Sequence, residues 1–338
     1  VTPVPHTTPG ILQPDRLLVN LASARLGAAV LSANDEFFAP ASNLLRPGPP
    51  EWRAGEYTDR GKWMDGWETR RRREPGQDEC VIRLGAPGRV REVVVDTAHF
   101  RGNQPESCAL DGLAVEGGDA SLADGSWEAL LERRTLDPDA VHRFEVEGSR
   151  RVTHVRLRIF PDGGVARLRV LGRVEPDWKR LAGLDSVDLA ALTHGGLPVA
   201  TSDASFGEPR NLLLPGEPEN VGEGWETRRR RDAGHDWVVI ALGHRGSVER
   251  LEISTRRFQG NCPAAASVDA CDAAPALAVP PEDGWWPLLP RSELQPDRPH
   301  SYGGELATLG PVTHVRLNIF PDGGVARLRV IGRPLVER

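Results

Sequence analysis

Residues 312–330 read VTHVRLNIFPDGGVARLRV, and this stretch decides the fold. From Thr313 to Ile319 the apolar side chains Val315, Leu317 and Ile319 alternate with His314, Arg316 and Asn318. A period of two marks a β-strand with one buried face. Pro321-Asp322-Gly323-Gly324 supplies a turn, because Asp and Gly reach backbone angles that other residues avoid. Beyond it Ala326, Leu328 and Val330 alternate with Arg327 and Arg329. The pair is expected to form an antiparallel hairpin with one face in the core.

Working outward, VTHVRL recurs at 152–157 and FPDGGVARLRV at 160–170. GWETRRRR occurs at 66–73 and again at 224–231. Phe100-Arg-Gly-Asn103 answers to Phe258-Gln-Gly-Asn261, and Asn43-Leu-Leu45 to Asn211-Leu-Leu213. The landmarks keep their order, so the chain is a duplication. Two units are expected, 15–175 and 183–335, each too long for a solenoid repeat and therefore a domain. The first copy carries extra residues in the polar stretch PGPPEWRAGEYTDRGKWMD, and the polar segment Glu175–Gly183 joins the copies.

Further strands are expected at Trp237–Leu242, Val248–Ile253, Cys80–Leu84 and Val90–Asp96. Leu189–Thr193 and Val19–Arg25 have room for only a helical turn or two. The 36 glycines and 29 prolines in 338 residues favour turns over long helices. The fold class is all-β: two tandem jelly-roll β-sandwich domains with short peripheral helices. In such sandwiches loops from separated motifs gather at the sheet ends and build the site.

Composition narrows the partners. A net charge of −6 gives no electrostatic reason to expect nucleic acid. No apolar run is long enough to span a membrane, and no basic region precedes an apolar stretch at the start of the sequence. Cys80, Cys108, Cys262 and Cys271 form no CxxC pair, so free thiols in the cytoplasm are expected.

Four motifs carry chemistry. In GWETRRRR, Glu68 and Glu226 are candidate catalytic carboxylates. The arginines after them suit an anionic substrate through paired N–H contacts; the plainer reading is a strand with arginines on both faces. In Gly234-His235-Asp236-Trp237 a His beside an Asp suits proton transfer. The first copy keeps Asp78 but has Gln77 and Glu79 around it. His99-Phe-Arg-Gly-Asn103 and Arg257-Phe-Gln-Gly-Asn261 offer Asn amides that donate and accept, as recognition of a urea-like group requires. Asp96 stands upstream of the former, where the second copy has Ser254. His154 and His314 are expected to be exposed or hydrogen-bonded rather than ligating, and Asp162 and Asp322 to be turn formers. No nucleophile elbow, zinc-protease helix, phosphate loop or dinucleotide fingerprint is present.

GKWMDGWETRRRR at 61–73, VVDTAHFRGN at 94–103, GWETRRRRDAGHDWVVIALG at 224–243 and FQGNCP at 258–263 resemble the signature segments of the allantoicase family. The resemblance runs through both copies. It implies two galactose-binding-like jelly rolls, a homo-oligomer, and hydrolysis of allantoate to ureidoglycolate and urea in purine (allantoin) degradation. On that reading Glu226 or Glu68 is the acid/base, with His235 and Asp236 assisting. Arg70, Arg72, Arg228, Arg230, His99, Asn103 and Asn261 are the candidates for substrate binding. The mismatches at Gln77 and Glu79 imply one composite site per chain rather than two. No cofactor is called for; a divalent metal remains open, since Asp, Glu and His are available without ligand spacing. The rival readings are a non-enzymatic tandem ligand- or carbohydrate-binding sandwich and an enzyme acting on a related ureido compound such as ureidoglycolate.

Overall fold

The computed structural model describes residues 10–11, 17–115, 122, 125–274 and 279–336. The chain divides into two compact units. One is Leu18–Glu175. The other, Pro176–Arg338, also takes in the N-terminal strand Gly10–Ile11, which pairs antiparallel with Leu197–Thr201.

Each unit is an all-β jelly roll organised around one long strand. In the second unit this is Asp236–Ser254, 19 residues long. Its first half pairs with Leu197–Thr201 and Val312–Phe320, and its second half with Pro299–Tyr302 and Arg327–Pro334. Asp78–Asp96 does the same in the first unit. The expected strands Trp237–Leu242 and Val248–Ile253 are thus two halves of one strand that passes from layer to layer. Glycines make the passage possible. A Cβ on Gly243 would sit 2.0 Å from the carbonyl of His194, and one on Gly246 would sit 2.4 Å from that of Arg333.

The core lies between the layers. Val238, Ile240, Leu251, Ile253, Val315, Leu317, Ile319, Leu328 and Val330 are fully buried. Burial of each such side chain contributes about 1.5–3 kcal/mol before chain entropy is counted.

The expected hairpin does not form. Val312–Phe320 pairs with the first half of the long strand and with Ala265–Cys271, whereas Arg327–Pro334 pairs with the second half. The two strands lie in different layers, and PDGG carries the chain between them. Alternation fixes which faces of a strand are buried, not which strand it pairs with. The turn makes its own pairing instead: Gly324–Val325 with Trp225–Glu226, and Gly164–Val165 with Trp67–Glu68. The second glycine is required there, because a Cβ on Gly324 would meet the buried Phe258 ring at 2.0 Å and one on Gly164 the Phe100 ring at 1.9 Å. The preceding bonds, Phe160–Pro161 and Phe320–Pro321, are cis.

Val312–Phe320 is also buried on both faces rather than one. His314 and Asn318 are as enclosed as Val315 and Leu317. Thr313 Oγ1 lies 2.8 Å from His314 Nδ1, and Thr153 repeats the contact with the buried His154.

The helical segments are short, as expected: 3-10 turns at Ala24–Leu26 and Leu192–His194. The connector is not wholly irregular. It holds a one-turn α-helix, Trp178–Leu181, whose first turn is capped by the Asp177 side chain accepting from the Arg180 N–H. Among the described residues no helix is long and apolar enough to cross a membrane.

Candidate functional site

Alternation along GWETRRRR places its first three side chains. Trp67 and Trp225 are fully buried, and each indole N–H donates to a backbone carbonyl, that of Asp35 or Asp203, at 2.8 Å. Thr69 and Thr227 turn inward again and accept from Gly163 and Gly323 N–H at 3.0 and 3.1 Å. The glutamates between them face outward, half-buried. Asn103 donates its side-chain amide to Glu68 Oε1 at 2.8 Å, and Asn261 donates to Glu226 Oε1 at 2.5 Å. The backbone at each Asn is fixed as well, because the main-chain carbonyls of Asn103 and Asn261 accept from Gly164 and Gly324 N–H at 2.7 and 2.9 Å. Burial pushes the Glu68 carboxyl above the ordinary glutamate value, and the Asn103 hydrogen bond only partly opposes it.

The strand ends after the glutamate, so the four arginines do not alternate across a sheet. Arg228 donates from its backbone N–H and from Nε to the Asp203 carboxylate, at 3.2 and 3.0 Å. Arg70 makes the same pair with Asp35, at 3.3 and 2.6 Å. Both arginine side chains stay more than half exposed, at 57% and 64%, and direct their ends to solvent.

Arg72 and Arg230 are engaged differently. Arg230 Nη1 donates to the buried Asp236 at 2.7 Å and its backbone N–H to Asp322 at 2.8 Å; Arg72 does so with Asp78 at 2.7 Å and Asp162 at 2.9 Å. Asp162 and Asp322 are therefore more than turn formers. Each ties the PDGG loop to the arginine run. Asp35 and Asp203 went unread in the sequence, although an Asp recurs there ahead of each NLL motif. Burial raises the Asp35 carboxyl, but hydrogen bonds from Phe37 and Arg70 outweigh it and hold the group below the ordinary range.

In the second unit these residues open a cleft of about 400 Å³, lined by Ser202, Asp203, Arg228–Asp232 and His235–Trp237. The volume lies within the range of small-molecule sites, roughly 300–1,000 Å³. The half-buried imidazole of His235 stands over Phe320, ring centroids 4.7 Å apart, with Nε2 3.3 Å from Asn318 Oδ1. Asp236 Oδ1 accepts from both Arg230 and Ser202 Oγ, which makes Asp236 an anchor beneath the cleft. The first unit has no imidazole at the equivalent place; Gln77 donates to Glu79 at 3.0 Å instead. Asp96 caps its own turn by accepting from Ala98 N–H at 2.8 Å.

The structure thus brings Arg228, Arg230, His235 and Asp236 together. Glu226 with Asn261, and Glu68 with Asn103, form separate pairs on the outward side of the same segments. His99 is not brought to Glu68. It adopts a left-handed backbone (φ 70°), sits against Trp52 and Pro50, and lines a cavity of about 300 Å³ with Trp52 and Arg101.

A divalent metal fits poorly. Among the described residues no three His, Cys, Asp or Glu side chains converge to hold one. The carboxylates nearest the arginines are already ion-paired. The four thiols are free. Burial pushes the thiols of Cys80 and Cys108 up, the latter to about 12, which removes them as nucleophiles near neutral pH.

The duplicated jelly roll thus offers an arginine-lined cleft with an imidazole in its second unit and an amide-held glutamate in each unit, a constellation of the kind found in small-molecule sites. The Allantoicase repeat model matches residues 19–175 and 187–335, and the chain belongs to the allantoicase family. A probable allantoicase of Pseudomonas aeruginosa is 47% identical over 324 residues, 95% of this chain and 97% of that protein. Probable allantoicase 1 of Burkholderia mallei is 44% identical over 332 residues, covering 97% and 98%. The crystal structure of allantoicase from Saccharomyces cerevisiae superposes with a TM-score of 0.78 at 34% identity, covering 95% of each chain.

Proposed function

We propose that the chain hydrolyses allantoate to ureidoglycolate and urea, acting on the carbon–nitrogen bond of a linear amidine-type substrate in allantoin degradation. The observation that carries this reading is the second-unit cleft, where cationic, carboxylate and imidazole groups meet in a volume suited to a small anion. Allantoate carries one carboxylate and two ureido groups on a single carbon. The exposed end of Arg228 binds the carboxylate. Arg230, fixed by Asp236 and Asp322, holds the loop in place. Glu226, held by Asn261 through Oε1, stands outside the lining of this cleft and acts through the short segment that carries Arg228 into it.

Urea leaves only if its nitrogen is protonated. His235 gives that proton as the carbon–nitrogen bond breaks and the bonding pair goes to the urea nitrogen. The lone pair of the remaining ureido nitrogen forms a carbon–nitrogen double bond. Water then adds to the carbon, the double-bond pair returns to nitrogen, and the water proton goes to His235. Glu68, the first-unit counterpart of Glu226, is held in the same way by Asn103.

The family likeness supports a homo-oligomer, and the free thiols support a reducing, cytoplasmic location. Light scattering checks the first, and fractionation of the expressing cell the second. For the activity, purified protein is incubated with allantoate or with ureidoglycolate, and urea is measured. Urea from allantoate supports the proposal. Urea from ureidoglycolate alone points to the related ureido enzyme, and urea from neither to a binding protein.

A further inference from the structure

The second unit contains a side-chain chain that the first lacks, and it ends on His235. Cross-strand register sets its geometry: Trp237, Asn318 and Ser267 lie side by side on neighbouring strands, with Arg316 and Asp269 side by side two residues along. Asn318 is buried. Its amide nitrogen donates to Asp269 Oδ2 at 2.9 Å and to Ser267 Oγ at 3.1 Å. Asp269 in turn accepts from Arg316 Nε and Nη2, at 3.2 and 3.1 Å.

An ion-paired carboxylate only accepts hydrogen bonds, so the amide group facing Asp269 must be the NH₂. The amide oxygen is thereby turned to His235, and it too can only accept. The imidazole nitrogen opposite it, Nε2, must carry the hydrogen. In the neutral ring this leaves Nδ1 as the lone-pair nitrogen.

We propose that Asn318, oriented by Asp269, is the positioning residue that fixes His235 as the Nε2–H tautomer and makes Nδ1 the atom that exchanges protons with substrate. The comparison within the chain carries the same message. Where the second unit has His235, Asn318 and Ser267, the first has Gln77, Arg158 and Ala109. Arg158 donates straight to Asp111 at 2.8 Å, which leaves no amide oxygen to orient a ring. The carboxylate is kept in both units, while the ring and the groups that aim it occur only in the second. During turnover protonated His235 gives its Nδ1 proton to the departing urea nitrogen. The water that attacks the carbon returns a proton to Nδ1. Nε2–H stays bonded to Asn318 throughout, so the amide steadies the cation that forms between the two steps.

This inference rests on the proposed urea-releasing reaction for its kinetic test but not for its spectroscopic one. Asn318→Leu removes the acceptor at similar volume; Asn318→Ser, smaller and polar, serves if the first variant does not fold. In either, kcat for urea release should fall about tenfold or more with KM nearly unchanged, since acid–base catalysis as a whole supplies about 10²–10⁴-fold. Long-range proton–nitrogen spectra of histidine-labelled full-length protein, with His235→Gln used for assignment, should show Nε2–H in the wild type and a tautomer mixture in the Asn318 variants. A wild-type His235 protonated at Nδ1 overturns the proposal, as does a folded Asn318 variant with wild-type kcat or a change confined to KM. If wild-type protein releases no urea, the reaction falls, and the spectra still decide the tautomer.

Discussion

Asn261 reaches Glu226 from 35 residues further along the chain and donates its amide to Oε1, and Asn103 does the same for Glu68. In each unit the amide fixes one carboxylate oxygen of the glutamate. A hydrogen bond to a charged group contributes about 1.5–3 kcal/mol, so Asn261→Ala should lower kcat/KM for allantoate roughly 10–100-fold. Glu226→Gln should remove most activity and leave the fold intact. Steady-state urea release with circular dichroism as the folding control checks both, and wild-type turnover in Glu226→Gln sinks its assignment.

Glu68 should reveal itself through pH. Its folded carboxyl holds the proton more tightly than the ordinary value of 4.5, chiefly because it is buried. The stability it contributes is therefore full below that value and is lost as pH rises through the folded-state value. Glu68→Gln cannot ionise. The melting temperature of the variant minus that of the wild type should grow as pH rises from about 4 towards 7. A difference independent of pH refutes the raised value.

The two kinds of arginine should separate cleanly. Asp236→Ala leaves Arg230 without its buried partner and should cost about 3 kcal/mol in denaturant unfolding, the scale for breaking a buried pair. Arg228→Ala removes a side chain that is mostly in solvent and should cost about 1 kcal/mol or less. Its effect should fall on KM for allantoate. Equal destabilisation by both changes contradicts the division into anchor and substrate contact.

Gly324 should tolerate no side chain. A Cβ there meets the Phe258 ring at 2.0 Å, whereas one on Gly260 meets nothing within 4 Å. Gly324→Ala should cost about 1–3 kcal/mol or more, and it should shift the strand that carries Glu226. Gly260→Ala should be close to neutral in the same unfolding experiment.

The duplication and the all-β class were legible because alternating residues and exact repeats are local signals. The pairing of strands was not. VTHVRLNIF and VARLRV look like a hairpin because nothing in either string says that a long third strand stands between them in different layers. The same holds for the site. His235 and its mismatch with Gln77 are read directly from the sequence, but the amide oxygen that faces the ring, that of Asn318, lies 83 residues away on a position whose type alone says only that it is polar. Asp322 carries a turn-forming residue type, which says nothing of its bond to Arg230, and Asp203 meets Arg228 from 25 residues away. A run of arginines does not reveal which side chains stay more than half exposed, as Arg70 and Arg228 do, and which are largely covered, as Arg72 and Arg230 are.

The most direct test compares urea release from allantoate by the wild type and by His235→Gln, which writes the first-unit residue into the second-unit cleft. The wild type should yield one urea and one ureidoglycolate per allantoate consumed, and the folded variant should lose about 10²–10⁴-fold in kcat. No urea from the wild type, or undiminished turnover in the variant, would contradict hydrolysis of allantoate at this cleft.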